Sequence, residues 1–139
     1  MKLIFFLGLA IGIVALFRSM ISRLRGPALP VAEAARRVAA GSAILIDVRE
    51  PGEWASGVAA PAYLAPLSDL QGGRRKWKLV LEELAGREAL LYCASGNRSA
   101  VAARLLQREG IKAQNVGRYH DWHRAGLPAR GPNDPASAN

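Results

Sequence analysis

Cys93 is the single thiol in a chain of 139 residues, and its neighbours are not those of a packing cysteine. It ends the apolar run Leu90–Tyr92 and is followed by Ala94, Ser95, Gly96, Asn97, Arg98 and Ser99, after which a helical pattern begins. A chain that passes from a strand into a helix within six residues must turn sharply, and Gly96 permits the turn. Such a loop directs several backbone N–H groups inward and forms a nest for an anion. Ser99 is placed to cap the helix, whose N-terminus adds positive potential. A free thiol titrates near ~8.5, and the helix dipole supplies about 1 kcal/mol, less than one pKa unit. The loop N–H groups and the Arg98 guanidinium must add to it if Cys93 is to be a thiolate at neutral pH. Inert core packing is the usual role of a lone cysteine. A glycine, an arginine and a helix start so close by point instead to a nucleophile.

Three chemistries compete for such a nucleophile. Cysteine phosphatases also place an arginine after the cysteine, but with one more residue between them. Here only Ala94, Ser95, Gly96 and Asn97 intervene, so the nest is narrower and suits a sulfur atom better than a tetrahedral phosphate. A redox protein cycling a sulfenate would need an external thiol, because the chain has no second cysteine. A nucleophile for some other chemistry is the third reading. Other ligand patterns are weak. His120 and His123 flank Asp121 without further ligands, so rim packing rather than a metal is expected. Trp54, Trp77 and Trp122 are expected at core edges, and the sequence calls for no cofactor.

The elements that position the cysteine follow from periodicity. Residues 43–48 (AILIDV), 88–93 (EALLYC) and 112–117 (KAQNVG) read as strands. Helices are expected over VAEAARRVAAG, residues 74–85 and Ser99–Glu109, with a proline-initiated turn over residues 50–57 and a last helical turn over YHDWHRAGLP. Residues 63–67 read as a short extended piece. The alternation predicts an α/β fold, a small parallel sheet flanked by helices on both faces. Ligands of such folds sit beyond the carboxyl ends of the strands, where Asp47 and Cys93 both fall. The expected organisation is an N-terminal anchor over residues 1–24, a linker over 25–30, the domain over 31–128 and a disordered tail over 129–139.

The net charge of +8 invites a nucleic-acid partner, but its distribution does not. Lys2, Arg18, Arg23 and Arg25 carry half of it and flank an uncharged apolar run, residues 3–17. The cluster Arg74–Lys78 reads as a solvated helix start, with acidic headgroups or an acidic partner as its alternative, and no nucleic-acid motif accompanies it. Fifteen helical residues reach ~22 Å, short of the ~30 Å hydrocarbon core. Snorkelling by Arg18 and the apolar Met20 and Ile21 extend the span to residues 2–22. A transmembrane helix is therefore expected before the domain. No small-residue cleavage site follows the run, and the arginines after it place the domain on the cytoplasmic side; export to the periplasmic side is the alternative.

The cysteine loop CASGNRS resembles the C-x-x-G-x-R-S motif of the rhodanese family. LIDVREPGEWASG resembles that family's D-V-R-E segment, AYLAPL its I-P-L segment, and VGRYHDW…AGLP its G-G-x-x-x-W…G-x-P region. Together they cover residues ~30–128, and order and spacing agree. The resemblance implies a sulfurtransferase in which Cys93 takes the outer sulfur of thiosulfate or a persulfide and passes it to a thiol, cyanide or a protein acceptor. It implies Arg98 as the residue that orders the loop and attracts anionic donors. Ala94, Ser95, Gly96, Asn97 and Ser99 would be the loop's substrate-binding residues. Asp47 would support the loop or polarise the site, and Arg49 and Glu53 would form a structural ion pair. A membrane-tethered module without catalysis is the alternative, but such modules typically lose the cysteine. Three positions depart from the pattern: Val58 stands where His is usual, Pro61 where Gly is usual, and Arg118 in place of the second Gly of the G-G pair.

Overall fold

The computed structural model describes the backbone of residues 2–136 and, outside residues 2–7, 9 and 21–25, their side chains. Helix α1 (Lys2–Arg25) leads, followed by α2 (Val31–Ala39), β1 (Ala43–Asp47) and a 3-10 helix over Pro51–Ser56. Then come β2 (Val58–Ala59), β3 (Tyr63–Leu64), α3 (Leu67–Gln71), α4 (Arg75–Leu84) and β4 (Glu88–Cys93). Helix α5 (Asn97–Arg108), β5 (Ala113–Arg118), α6 (Tyr119–Arg124) and β6 (Ala129–Arg130) complete the chain.

The main sheet has the order β3-β1-β4-β5, and every pairing in it is parallel. All five residues of β1 and five of six in β4 are buried, as expected of central strands covered on both faces. One face packs Trp77, Val80 and Leu84 of α4 and Ala102, Ala103 and Leu106 of α5 against Ile44, Ile46, Leu91 and Cys93. The other packs Ala34 of α2 and Trp122 of α6 against Leu45, Leu90 and Tyr92. The expected α/β architecture with helices on both faces is thus present. Trp77 lies at the centre of its layer, fully buried, with its indole N–H donated to the Pro66 carbonyl at 2.8 Å, rather than at a core edge.

The basic stretch at α4 is built into the fold. Asp69 accepts the N–H groups of Arg75, Lys76 and Trp77 and so satisfies the free donors of the first turn. Arg74, in a left-handed conformation just before the helix, makes two bonds to Glu109, and Lys76 lies over the Trp54 ring.

The chain ends need correction. The segment expected as a linker is docked: the Leu29 N–H donates to the Asn115 carbonyl at 2.8 Å, and Leu29 packs on the second core layer. The tail does not become irregular at residue 129. Ala129 and Arg130 pair antiparallel with Val58 and Ala59, and the Arg130 guanidinium donates to the Ala60 and Ala62 carbonyls. Residues 137–139 lie outside the described residues. At the other end, among the described residues no helix is long and apolar enough to cross a membrane. The expected span over residues 2–22 falls partly outside the residues whose side chains are described.

Candidate active site

β4 delivers Cys93 to the carboxyl end of the sheet, and α5 begins at Asn97. Gly96 is the residue that makes this turn, at φ +83°. A Cβ there would stand 3.4 Å from the Gly117 Cα, so loop and β5 touch backbone to backbone. Ser99 therefore does not cap the helix, as the sequence suggested; Gly96 holds that position and Ser99 falls in the first turn, buried.

The Cys93 sulfur is enclosed by donors. The Gly96 N–H reaches Sγ at 3.0 Å and the Ser99 hydroxyl lies 3.4 Å from it. Burial pushes the thiol pKa up. The Ser99 hydroxyl and the backbone N–H groups of Ser99, Ser95 and Gly96 outweigh it, so Cys93 titrates below an ordinary cysteine. Cys93 itself is buried, while Ala94, Ser95 and Asn97 of the same loop are exposed.

Asn115 on β5 is a site residue that sequence reading passed over. Its Oδ1 accepts the Ser99 hydroxyl at 2.7 Å and the Gly117 N–H at 2.9 Å, and its Nδ2 donates to the Gly96 carbonyl at 3.3 Å. One buried amide thus ties together the loop, the helix start and the neighbouring strand. The only sequence signal was a polar residue on an otherwise buried strand end.

Arg98 leaves the loop sideways. Its two terminal nitrogens bind both oxygens of Glu53 at 2.6 and 2.7 Å. This bidentate pair holds Glu53 far below the usual carboxylate range, at about 2, and raises Arg98 further. Glu53 also accepts the Glu50 N–H at 2.8 Å, so the pair fastens the cysteine loop to the 3-10 helix.

The ion pair expected between Arg49 and Glu53 does not form. Asp47 is fully buried at the end of β1 and requires a cation. Arg49, two residues on, supplies it with Nε and Nη2, the shortest contact being 2.7 Å. The rest of the Arg49 guanidinium binds the Glu53 and Gly57 carbonyls and lies 4.4 Å from the Tyr119 ring centroid. The nearby Tyr92 is stacked on Tyr119, its hydroxyl accepts the Ala59 N–H, and burial together with Asp47 raises its pKa. Asp47 and Arg49 therefore brace the sheet end that carries the loop, and Asp47 makes no hydrogen bond to Cys93. His120 and His123 are exposed on α6, and among the described residues no group of three or more His, Cys, Asp or Glu is placed to hold a metal.

Fold and site together thus present a buried cysteine of lowered pKa in an N–H-lined loop, at the carboxyl rim of a four-stranded parallel sheet. Residues 30–125 match the family model described as Rhodanese-like domain, and the chain belongs to that family. It is 37% identical over 87 residues to an uncharacterized protein of Synechocystis, covering 61% of this chain and 45% of that protein. It is 33% identical over 88 residues to a mitochondrial protein of Schizosaccharomyces pombe provisionally named thiosulfate sulfurtransferase, covering 56% and 58%. The chain thus spans about half the length of these relatives. The crystal structure of a rhodanese-related protein from Thermoplasma volcanium superposes with TM-score 0.61 at 29% identity, covering 74% of this chain and 96% of that one.

Proposed function

We propose that this chain is a sulfurtransferase that carries sulfane sulfur on Cys93. The observation behind the reading is the set of donors around Sγ, with the Gly96 N–H at 3.0 Å and the Ser99 hydroxyl at 3.4 Å. The Cys93 thiolate attacks the outer sulfur of thiosulfate. The new S–S bond forms as the old one breaks, and the electron pair leaves with sulfite. A persulfide donor would leave as its thiolate in the same step. The same N–H groups then face a persulfide anion, as an oxyanion hole faces a developing charge. A thiol or cyanide attacks the outer sulfur, takes it as persulfide or thiocyanate, and returns Cys93 to the thiolate. A protein thiol can serve as the acceptor. No step requires a cofactor. Initial rates at several donor and acceptor concentrations test the scheme: double displacement gives parallel reciprocal plots, and intersecting plots would contradict it.

The proposal includes a membrane tether through α1, with the domain on the cytoplasmic side. Ile11, Ile13, Val14, Leu16, Phe17 and Met20 are each more than half exposed on that helix. Such a row of bare apolar side chains calls for a cover, and the arginines that follow it favour the cytoplasmic side. Carbonate extraction and protease access in spheroplasts test this. Release by carbonate removes the tether, and digestion from outside removes the cytoplasmic placement.

A further inference from the structure

Arg98 was the residue expected to draw anionic donors, yet its side chain is less exposed than that of Arg118, 31% against 51%, and Glu53 holds both of its terminal nitrogens by bonds of 2.6 and 2.7 Å. Arg49 is buried with Asp47. A different cation borders a cleft shared with the cysteine loop. Arg118 is the direct register partner of Cys93 across the β4–β5 ladder, at the carboxyl rim of the sheet. Its side chain is about half exposed, 51%, and together with Asp121 it lines a cleft beside Gly26, Ala28, Ser95, Gly96 and Gly117. The cleft holds about 220 Å³. That is smaller than the ~300–1,000 Å³ of drug-sized ligand sites, so it suits a small ion. The same Gly96 that lines the cleft donates its N–H to the Cys93 sulfur.

We infer that Arg118 is a specificity-determining residue that receives the negative charge of a small anionic sulfur donor, of which thiosulfate is the simplest. The inference rests on the sulfurtransferase reading. Arg118 is bound by Asp121 at 2.7 and 3.0 Å, one turn away and itself one-third exposed. Solvent screens a surface pair of this kind, so an arriving sulfonate can replace the carboxylate. Arginine suits the task because its planar fork binds two oxygens of one anion at once. The Asp121 Oδ2 that accepts from Arg118 Nε lies 4.0 Å from where a Gly117 Cβ would be, so the pair borders the Gly117 side of the cleft.

The test separates binding from transfer. In the Cys93→Ser background, which cannot turn over, thiosulfate binding is measured by calorimetry at low and high salt. Arg118→Gly should weaken binding about tenfold and flatten its salt dependence. Arg118→Lys should recover part of it, and Asp121→Asn should tighten it. With Cys93 present, Arg118→Gly should raise KM for thiosulfate about tenfold at unchanged kcat, and raise it clearly less for an alkyl persulfide, which has no sulfonate for the guanidinium to bind. Equal binding by Arg118→Gly, or an equal loss with the alkyl persulfide, would overturn the role of Arg118. Thiosulfate binding that depends on Arg118, without sulfur transfer from any donor, would uphold the anion site and refute the sulfurtransferase reading.

Discussion

Arg98 and Glu53 are joined by two hydrogen bonds of 2.6 and 2.7 Å, across 45 residues of sequence. The arginine of the cysteine loop is thus a fastening rather than a free anion receptor. Glu53→Gln should cost at most about 1 kcal/mol of stability, because the pair is roughly one-third exposed. It should still slow turnover several-fold by loosening the loop. Steady-state kinetics beside a urea melt would show the two effects separately. Equal losses in turnover and fold would contradict the fastening role.

The same pair sets a pH signature. Glu53 is lowered to about 2 in the fold, from an ordinary value of 4.5. Its contribution to stability is therefore complete above pH 4.5 and is lost as pH falls toward 2. Urea melts between pH 6 and 2.5 should show wild type losing stability faster than Glu53→Gln below pH 4.5. Parallel curves would argue against the pair.

Cys93 should react as a thiolate below the ordinary cysteine range, since the donors around it outweigh burial. The pH dependence of alkylation by iodoacetamide would read this directly. Ser99→Ala removes the first of those donors and should move the profile to higher pH. The absolute rate should remain low at every pH, because Cys93 is buried.

Asn115→Ala should leave the Gly117 N–H without its acceptor and the Ser99 hydroxyl with only the Cys93 sulfur to turn to. The expected loss is about 1–3 kcal/mol, read from a chemical denaturation curve. Asn115 acts through Ser99 and Gly96, so its loss should also shift the Cys93 alkylation profile, which a purely structural role would not do.

Arg49→Met should be the most damaging of these changes to stability. It strands the fully buried Asp47 carboxylate, a situation that costs about 3–5 kcal/mol. The double variant Asp47→Asn, Arg49→Met should recover part of the loss, and denaturation midpoints would show it.

Much of this arrangement was legible in the sequence. The β4 strand ends where its apolar run ends, at Cys93, because a central strand buried on both faces carries little but apolar residues. The four-residue count from Cys93 to Arg98 located the loop. The partners of the charges were not legible. Arg49 lies near both Asp47 and Glu53 in sequence, and only the burial of Asp47 decides between them. Arg98 finds Glu53 only once the 3-10 helix and α5 are brought together. Asn115 gave little sign, because its role depends on β5 lying beside the loop. The short β6 strand, two residues in a proline-rich end, carries no periodicity to read.

The account rests on sulfur becoming bonded to Cys93. Purified protein is incubated with thiosulfate or a low-molecular-weight persulfide, and the intact mass is recorded before and after cyanide. The account predicts the gain of one sulfur atom, its removal by cyanide, and no gain in Cys93→Ser. An unchanged mass with every donor, from protein shown to be folded and reduced, would contradict it.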